Sequence, residues 1–338
     1  VSAPTTASGG GAPAARGAAR PAAAGRVPDF FVVGQPKSGT TALYDMLRTH
    51  PQVFLPQSKE PWFFADELHE RTPPRPGGTP ASLGEYRQLF AEAAPGQRVG
   101  EISPLYLWSR TAAERICQVR PDALIIAILR EPASLLRSLH LEFVQSYVEV
   151  EPDLRRALEL EPQRRAGRAI PRHTYWPKAL LYSEHVAYVE QLRRYRERFG
   201  AERMLVLIYD EFRADNAAAV REVLRFVGAD DATEIAPVQA NPSVRVRSQR
   251  LHELVHAVSV GRGPVSRALK ATLKAVTPRR LRRGALQAAQ QNVLYTEPAQ
   301  PDEQLMAELR HRYAGEVRAL SEYLGRDLVT MWGYDGLD

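Results

Sequence analysis

The sequence predicts an α/β fold of three layers, with a central, mostly parallel sheet flanked by helices. Short β-favouring apolar runs recur along the chain, and stretches with helical periodicity separate them. At 338 residues, 44% hydrophobic and 25% charged, the chain is also long enough to bury a sizeable core.

Phe30-Phe31-Val32-Val33, closed by Gly34, reads as a buried strand. Gln35 to Thr41 form a small-residue loop, after which Ala42, Leu43, Met46 and Leu47 recur at helical spacing until His50-Pro51. Thr111 to Val119 is helix-like and precedes a second apolar run, Ala123 to Leu129. Arg130-Glu131-Pro132 then opens a helix through Leu135, Leu136, Leu139 and Phe143. A long helix is expected from about Pro177 to Phe199, a third strand from Arg203 to Tyr209, and a further helix from Asp210 to Val227 with Gly228 as its stop. The segments 66–84 and 150–176, rich in Pro, Arg and Glu, read as loops or irregular insertions. The region from Gln249 onward is helical in character, and Glu303 to Leu324 carries an apolar stripe that reads as a packing face.

Residues 1–26 are almost entirely Ala, Gly, Pro, Ser, Thr and Arg. Such a segment cannot offset its ordering entropy, so a disordered tail is expected, followed by a single domain over 27–338. It lacks the compact apolar stretch of a signal peptide. No window reaches the roughly 18 apolar residues of a spanning helix, and the lone cysteine, Cys117, has no partner for an internal disulfide. The expected location is the cytoplasm. The net charge is +6. It is concentrated between Arg245 and Arg283, where Glu253 is the one acid; this block reads either as an attractor of an anionic surface or as a solvated helix face.

Gly34-Gln35-Pro36-Lys37-Ser38-Gly39-Thr40-Thr41 is where the chemistry concentrates. A loop between strand and helix exposes the helix's unpaired N–H groups and the positive end of its dipole, which together bind phosphate. Gly39 lets backbone approach an anion, the hydroxyls of Ser38, Thr40 and Thr41 add donors, and Lys37 adds a full charge. In a nucleoside-triphosphate loop the lysine follows the last glycine and the next Ser/Thr holds magnesium. Here Thr40 follows Gly39 and the lysine precedes it, so the loop is P-loop-like without the metal–triphosphate arrangement.

Pro-Lys-Ser-Gly-Thr-Thr after a strand resembles the 5′-phosphosulfate loop of sulfotransferases that use 3′-phosphoadenosine 5′-phosphosulfate (PAPS). Lys59-Glu60-Pro61-Trp62-Phe63-Phe64 resembles the K-E-x-x-F-F segment of the heparan-type and bacterial branches. Gly100-Glu101-Ile102-Ser103-Pro104-Leu105-Tyr106 is similar to G-E-K-[ST]-P-x-Y there, with Ile102 in place of the usual lysine. Arg130-Glu131-Pro132 with Arg137-Ser138 resembles the family's second signature.

The resemblance implies that Lys37, Ser38, Gly39, Thr40 and Thr41 hold the donor's 5′ end and that Arg130 and Ser138 hold its 3′-phosphate. A late basic segment, here Arg245 or Arg247, closes over the nucleotide. The plainer alternative is that Arg130 pairs with Glu131 or Glu142. Lys37 is expected to neutralise charge on the leaving group, Glu60 to act as general base on an acceptor hydroxyl or amine, and no metal to be needed. Competing readings are a small-molecule kinase and a non-catalytic nucleotide-binding module. The acceptor, whether sugar, lipid, peptide or small molecule, stays open: the basic block hints at an anionic acceptor or surface, and Tyr175-Trp176 hints at an apolar one.

Overall fold

A computed structural model describes residues 25–69, 79–172, 174–233, 245–246, 295–296 and 300–337. Five strands form one parallel sheet: β1 (Phe30–Gly34), β2 (Val53–Phe54), β3 (Arg98–Ile102), β4 (Leu124–Leu129) and β5 (Met204–Ile208), in the order β2-β3-β1-β4-β5. The chain starts at β1 in the middle, runs to the edge strand β2, returns to β3 between the two, then crosses to β4 on the other side of β1. The carboxyl ends of β1 and β4 are therefore where the strand order reverses, the crevice in which open α/β sheets bind ligands.

Side chains along β1 alternate between the two faces, as a strand's two-residue period dictates. Phe31 and Val33 join a core with Ile125, Ala127 and Leu129 of β4. Phe30 and Val32 join a second core with Ile126 and Ile128. Helices α1 (Thr40–Arg48) and, late in the chain, Asn216–Val227 cover the second core with Leu43, Leu47, Val220 and Val223. Ala112–Val119, Pro132–Gln145, Tyr188–Phe199 and Glu303–Leu324 cover the first. The expected three layers and parallel sheet are present. No helix among the described residues is long and apolar enough to cross a membrane.

Strand β3, with β2 beside it, was not evident from hydrophobic pattern, and the reason is visible in its residues. Gly100 and Glu101 interrupt the apolar run. Gly100 is required because a Cβ there would lie 2.1 Å from the ring of Phe30. Glu101 is fully buried and accepts hydrogen bonds from Ser103 Oγ at 2.6 Å and from Tyr86 Oη. Ile102, at the position where the family it resembles carries lysine, packs in the second core.

Two expected helices are shorter than their periodicity suggests. Residues 177–186 form two 3₁₀ turns, Pro177–Leu180 and Tyr182–Val186, and the helix starts at Tyr188. His185 Nε2 meets the carbonyl of Ala179 at 2.8 Å, fixing this fold-back. The stretch after β5 breaks at Asp215, which caps the second piece by accepting from Ala218 N at 2.8 Å. Segment 150–176 holds two short helices, Leu154–Glu159 and Glu161–Arg165, joined to the core by a buried Arg164–Glu149 ion pair with contacts of 2.6 and 2.9 Å. Glu303–Leu324 is a helix, as its stripe predicts.

Arg245 pairs by its backbone with Thr296 in a two-residue antiparallel ladder, Arg245–Val246 against Tyr295–Thr296. Its side chain, Arg247, the rest of the basic block to Arg283 and residues 1–24 of the tail lie outside the described residues.

Candidate active site

Two helices begin at the switch point, and their N-termini differ. For the second, Pro132–Gln145, here α2, the N-cap is Glu131, whose carboxylate accepts from Ala133 N at 2.9 Å and Ser134 N at 2.7 Å. Its free N–H groups are thus satisfied internally. Helix α1 has no such cap: Gly39 occupies the N-cap position at φ 85°, with no side-chain hydrogen bond and no acid in the first turn. The N–H groups of its first turn face an open end with the dipole's positive pole behind them, an anion site made from backbone. Gly39 is needed twice over, for its positive φ and because a Cβ would lie 2.8 Å from the Phe212 ring.

The loop before α1 is anchored from below. Gln35 is buried and donates to Gln191 Oε1 at 2.6 Å and to the carbonyl of His185 at 3.1 Å. Ser38 is fully buried, with its hydroxyl on the carbonyl of Pro36 at 3.4 Å. Lys37, at φ 61°, points its ammonium to Glu142 Oε2 at 3.0 Å. Arg130 donates to the Lys37 carbonyl at 2.7 Å, and its guanidinium lies 4.7 Å from the centre of the Tyr209 ring. Neither Glu131 nor Glu142 is the partner of that hydrogen bond. Burial lowers the guanidinium's pKa from its ordinary value, and nearby Tyr209, Tyr188 and Asp210 act the other way. Tyr188 Oη donates to the Arg130 carbonyl at 2.7 Å, fixing the strand end itself.

These groups surround one cavity of about 530 Å³, within the range of small-molecule sites. Lys37, Gly39, Thr40, Thr41, Glu60, Arg130 and Ser138 all line it. Seven residues singled out from three separate stretches of sequence thus meet at one place. Ser38 is not on the wall, so any contribution it makes to an anion is through its backbone.

Glu60 reaches the wall on a constrained segment. Glu60 and Trp62 flank Pro61 with φ values of 58° and 51°, a conformation that costs a side-chain-bearing residue energy and persists where the surroundings enforce it. The enforcement comes from the aromatic residues that follow. Phe63 stacks on Tyr86 with ring centres 4.8 Å apart, Phe64 meets the same ring edge-on at 4.9 Å, and Phe64 N donates to Tyr106 Oη at 3.3 Å. Lys59 Nζ donates to Thr41 Oγ1 at 2.8 Å and lies 3.5 Å from Glu60 Oε1, tying this segment to α1.

Among the described residues no histidine lines the cavity. His140 is buried with Nε2 on the Glu151 carbonyl at 2.9 Å, and burial lowers its pKa. His185 is pushed down to about 4 by burial. Glu142, Trp62, Trp176, Tyr209 and Arg213 also line the cavity. Glu142 falls one helical turn after Ser138, a spacing that could have flagged it as a partner for Lys37. Trp176 belongs to the Tyr175-Trp176 pair that the sequence offers as a hint of an apolar acceptor, whereas Arg213 carries no comparable sequence signal.

A model of the sulfotransferase family matches residues 28–233, more than half of the chain. Human heparan sulfate glucosamine 3-O-sulfotransferase 6 is 37% identical over 109 residues, covering 32% of this chain and 28% of that protein. Mouse heparan sulfate glucosamine 3-O-sulfotransferase 3B1 is 27% identical over 205 residues, 60% of this chain and 46% of that protein. This chain therefore spans less than half of either relative. The crystal structure of a sulfotransferase from Alicyclobacillus acidocaldarius has the same fold, with a TM-score of 0.62 at 24% identity over 91% of this chain and 99% of that one.

Proposed function

The chain belongs to the sulfotransferase family, and from that premise we propose that it transfers a sulfuryl group from PAPS to an acceptor hydroxyl or amine by in-line displacement. The observation that carries this reading is the uncapped N-terminus of α1 sharing one cavity with Lys37, Arg130, Ser138 and Glu60. The first turn of α1 suits the donor's 5′-phosphate, and Thr40 and Thr41 add hydroxyls. Arg130 and Ser138, reaching in from the end of β4 and from α2, suit its 3′-phosphate.

In the reaction, the acceptor oxygen forms a bond to sulfur as the bond from sulfur to the donor's bridging oxygen breaks. The acceptor's proton passes to the Glu60 carboxylate. The electron pair leaves with adenosine 3′,5′-bisphosphate, and Lys37 meets the charge that builds on its 5′ end. Positioning and fixed charge supply most of the acceleration in such displacements. Lys37 rests on Glu142 at 3.0 Å, and turning from that carboxylate to the donor is a side-chain rotation about its flexible stem.

The test is transfer of labelled sulfate from PAPS to a panel of acceptors, with EDTA present throughout. Labelled product is expected, and ATP with magnesium is expected to give no phosphorylated product under the same panel. Phosphoryl transfer dependent on magnesium, with none from PAPS, would overturn the reading in favour of a kinase.

A further inference from the structure

On the donor reading above, the nucleotide end of the cavity, as distinct from the acceptor end at Glu60, is the wall that carries Arg130, Ser138 and Tyr209. The residue after Arg130 and the residue after Tyr209 are both acids, Glu131 and Asp210. Neither carboxylate is on the cavity wall, yet both are near enough for their charges to favour the protonated Arg130 guanidinium. A 3′-phosphate brings up to about two negative charges of its own. A carboxylate that turned onto Arg130 would compete with that phosphate for the guanidinium and repel it.

Both acids are held from one distant segment. The helix Leu328–Trp332 begins with Thr330 N donating to Asp327 Oδ1 at 3.0 Å, and at its end Trp332 Nε1 donates to Asp210 Oδ2 at 3.0 Å, across 122 positions. Gly333, at φ 72°, turns the chain, and Tyr334 N donates to the Val329 carbonyl at 2.9 Å. That turn delivers Tyr334 Oη to Glu131 Oε1, across 203 positions. Trp332 and Tyr334 are both buried, and Arg326 pins the same segment from its exposed side by pairing with Glu211. The two acids are not held equally. Glu131 also accepts from Ala133 N and Ser134 N, whereas the Asp210 carboxylate rests on Trp332 alone among the described residues.

Resting on the donor reading above, we infer that Trp332 and Tyr334 are positioning residues of the nucleotide end. They hold Asp210 and Glu131 off the Arg130 guanidinium and so leave it to the donor's 3′-phosphate, with Trp332 carrying the larger share.

The experiment is calorimetry on the full chain, titrated with adenosine 3′,5′-bisphosphate and with adenosine 5′-monophosphate. Wild type is expected to prefer the bisphosphate. Trp332→Phe keeps an aromatic ring and removes the N–H; it is expected to lose about three- to tenfold of that preference, with monophosphate affinity within about twofold of wild type. Tyr334→Phe is expected to lose less, about two- to threefold, because Glu131 keeps its backbone donors. Asp210→Asn added to Trp332→Phe is expected to restore the preference, since the released side chain then carries no charge; a role in packing alone gives no such rescue. An unchanged preference in Trp332→Phe, an equal loss for both nucleotides, or no rescue by Asp210→Asn overturns the inference and leaves the donor assignment standing. Should Trp332→Phe not fold, Tyr334→Phe, which removes a single oxygen atom, decides by the same change or constancy of preference. A wild-type chain that binds the two nucleotides equally overturns the donor assignment and the inference together, so the first titration tells the two failures apart.

Discussion

On the proposed reading, the recognition groups at the nucleotide end of the cavity come from two short stretches, Lys37 to Thr41 and Arg130 to Ser138, each directly following a strand of the sheet. Much of what they offer is backbone: an uncapped helix, a carbonyl that places Arg130, a glycine that permits approach. At the acceptor end, Glu60 and Trp62, Glu142 and Phe143, and Trp176 come from three segments far apart in sequence, and nearly all they offer is side chain. Backbone groups are offered by any residue that the local conformation admits, so an end made from them is kept by the fold itself, whereas an end made from side chains can be rebuilt by substitution. The contrast teaches that one fold can keep its donor and change its acceptor.

The largest expected effect lies where the two ends meet. Lys37→Ala removes the charge proposed to meet the leaving group, so turnover should fall by about 10²–10³-fold with every acceptor. A loss confined to one acceptor in steady-state kinetics would move Lys37 from the leaving group to acceptor binding and break the division.

Arg130→Ala should act at the nucleotide end alone. Wild type should prefer adenosine 3′,5′-bisphosphate over adenosine 5′-monophosphate, and the variant should lose about 2 kcal/mol of that preference, roughly 30-fold. Calorimetry showing the same discrimination in both proteins would remove Arg130 from the 3′-phosphate.

Glu142→Gln sharpens the boundary. It releases Lys37 and removes one negative charge from the donor's surroundings, so adenosine bisphosphate affinity should rise by about two- to fivefold, a modest gain because the pair is partly exposed. Unchanged or weaker binding would mean that Glu142 positions Lys37 for the donor rather than competing for it.

The smallest effect concerns the support beneath the acceptor end. Burial pushes the Glu101 carboxyl up to about 7, although hydrogen bonds from Ser103, Tyr86 and Tyr106 favour its charged form. Its folded value exceeds the unfolded value of about 4.3, so the native state binds the proton more tightly. Through this group stability falls as pH rises from about 4 to about 7, and levels off above. Glu101→Gln should remove that slope; denaturant midpoints with the same pH dependence in both proteins would contradict it.

The same contrast governs what the sequence reveals. Strands β1, β4 and β5 are unbroken apolar runs, the first two buried on both faces, and so announce themselves; β3 hides because Gly100 and Glu101 obey tertiary demands, the Phe30 ring and the Tyr86 hydroxyl. The split of Asp210–Val227 at Asp215 was written as a capping residue, but an aspartate inside an amphipathic run is easily read as surface. Lys37, Glu60, Arg130 and Ser138 were legible because each sits in a local motif. Their convergence in one cavity depends on strand order, which no motif states. The pairing of Lys37 with Glu142 spans 105 positions, and the Trp62–Trp176 contact spans a comparable gap across a different part of the chain. Such long-range side-chain partners have no periodicity to betray them.

The division of labour between the ends is tested most directly by Glu60→Gln, which keeps the side chain's size but removes the base. Turnover is measured at saturating PAPS with a matched alcohol and phenol, the phenol well above its own pKa so that it is already ionised. Turnover of the alcohol should fall by about 10²–10⁴-fold and that of the phenolate far less, with adenosine bisphosphate affinity unchanged. Equal slowing of both acceptors with donor binding intact would show that Glu60 does not take the proton and would contradict the account.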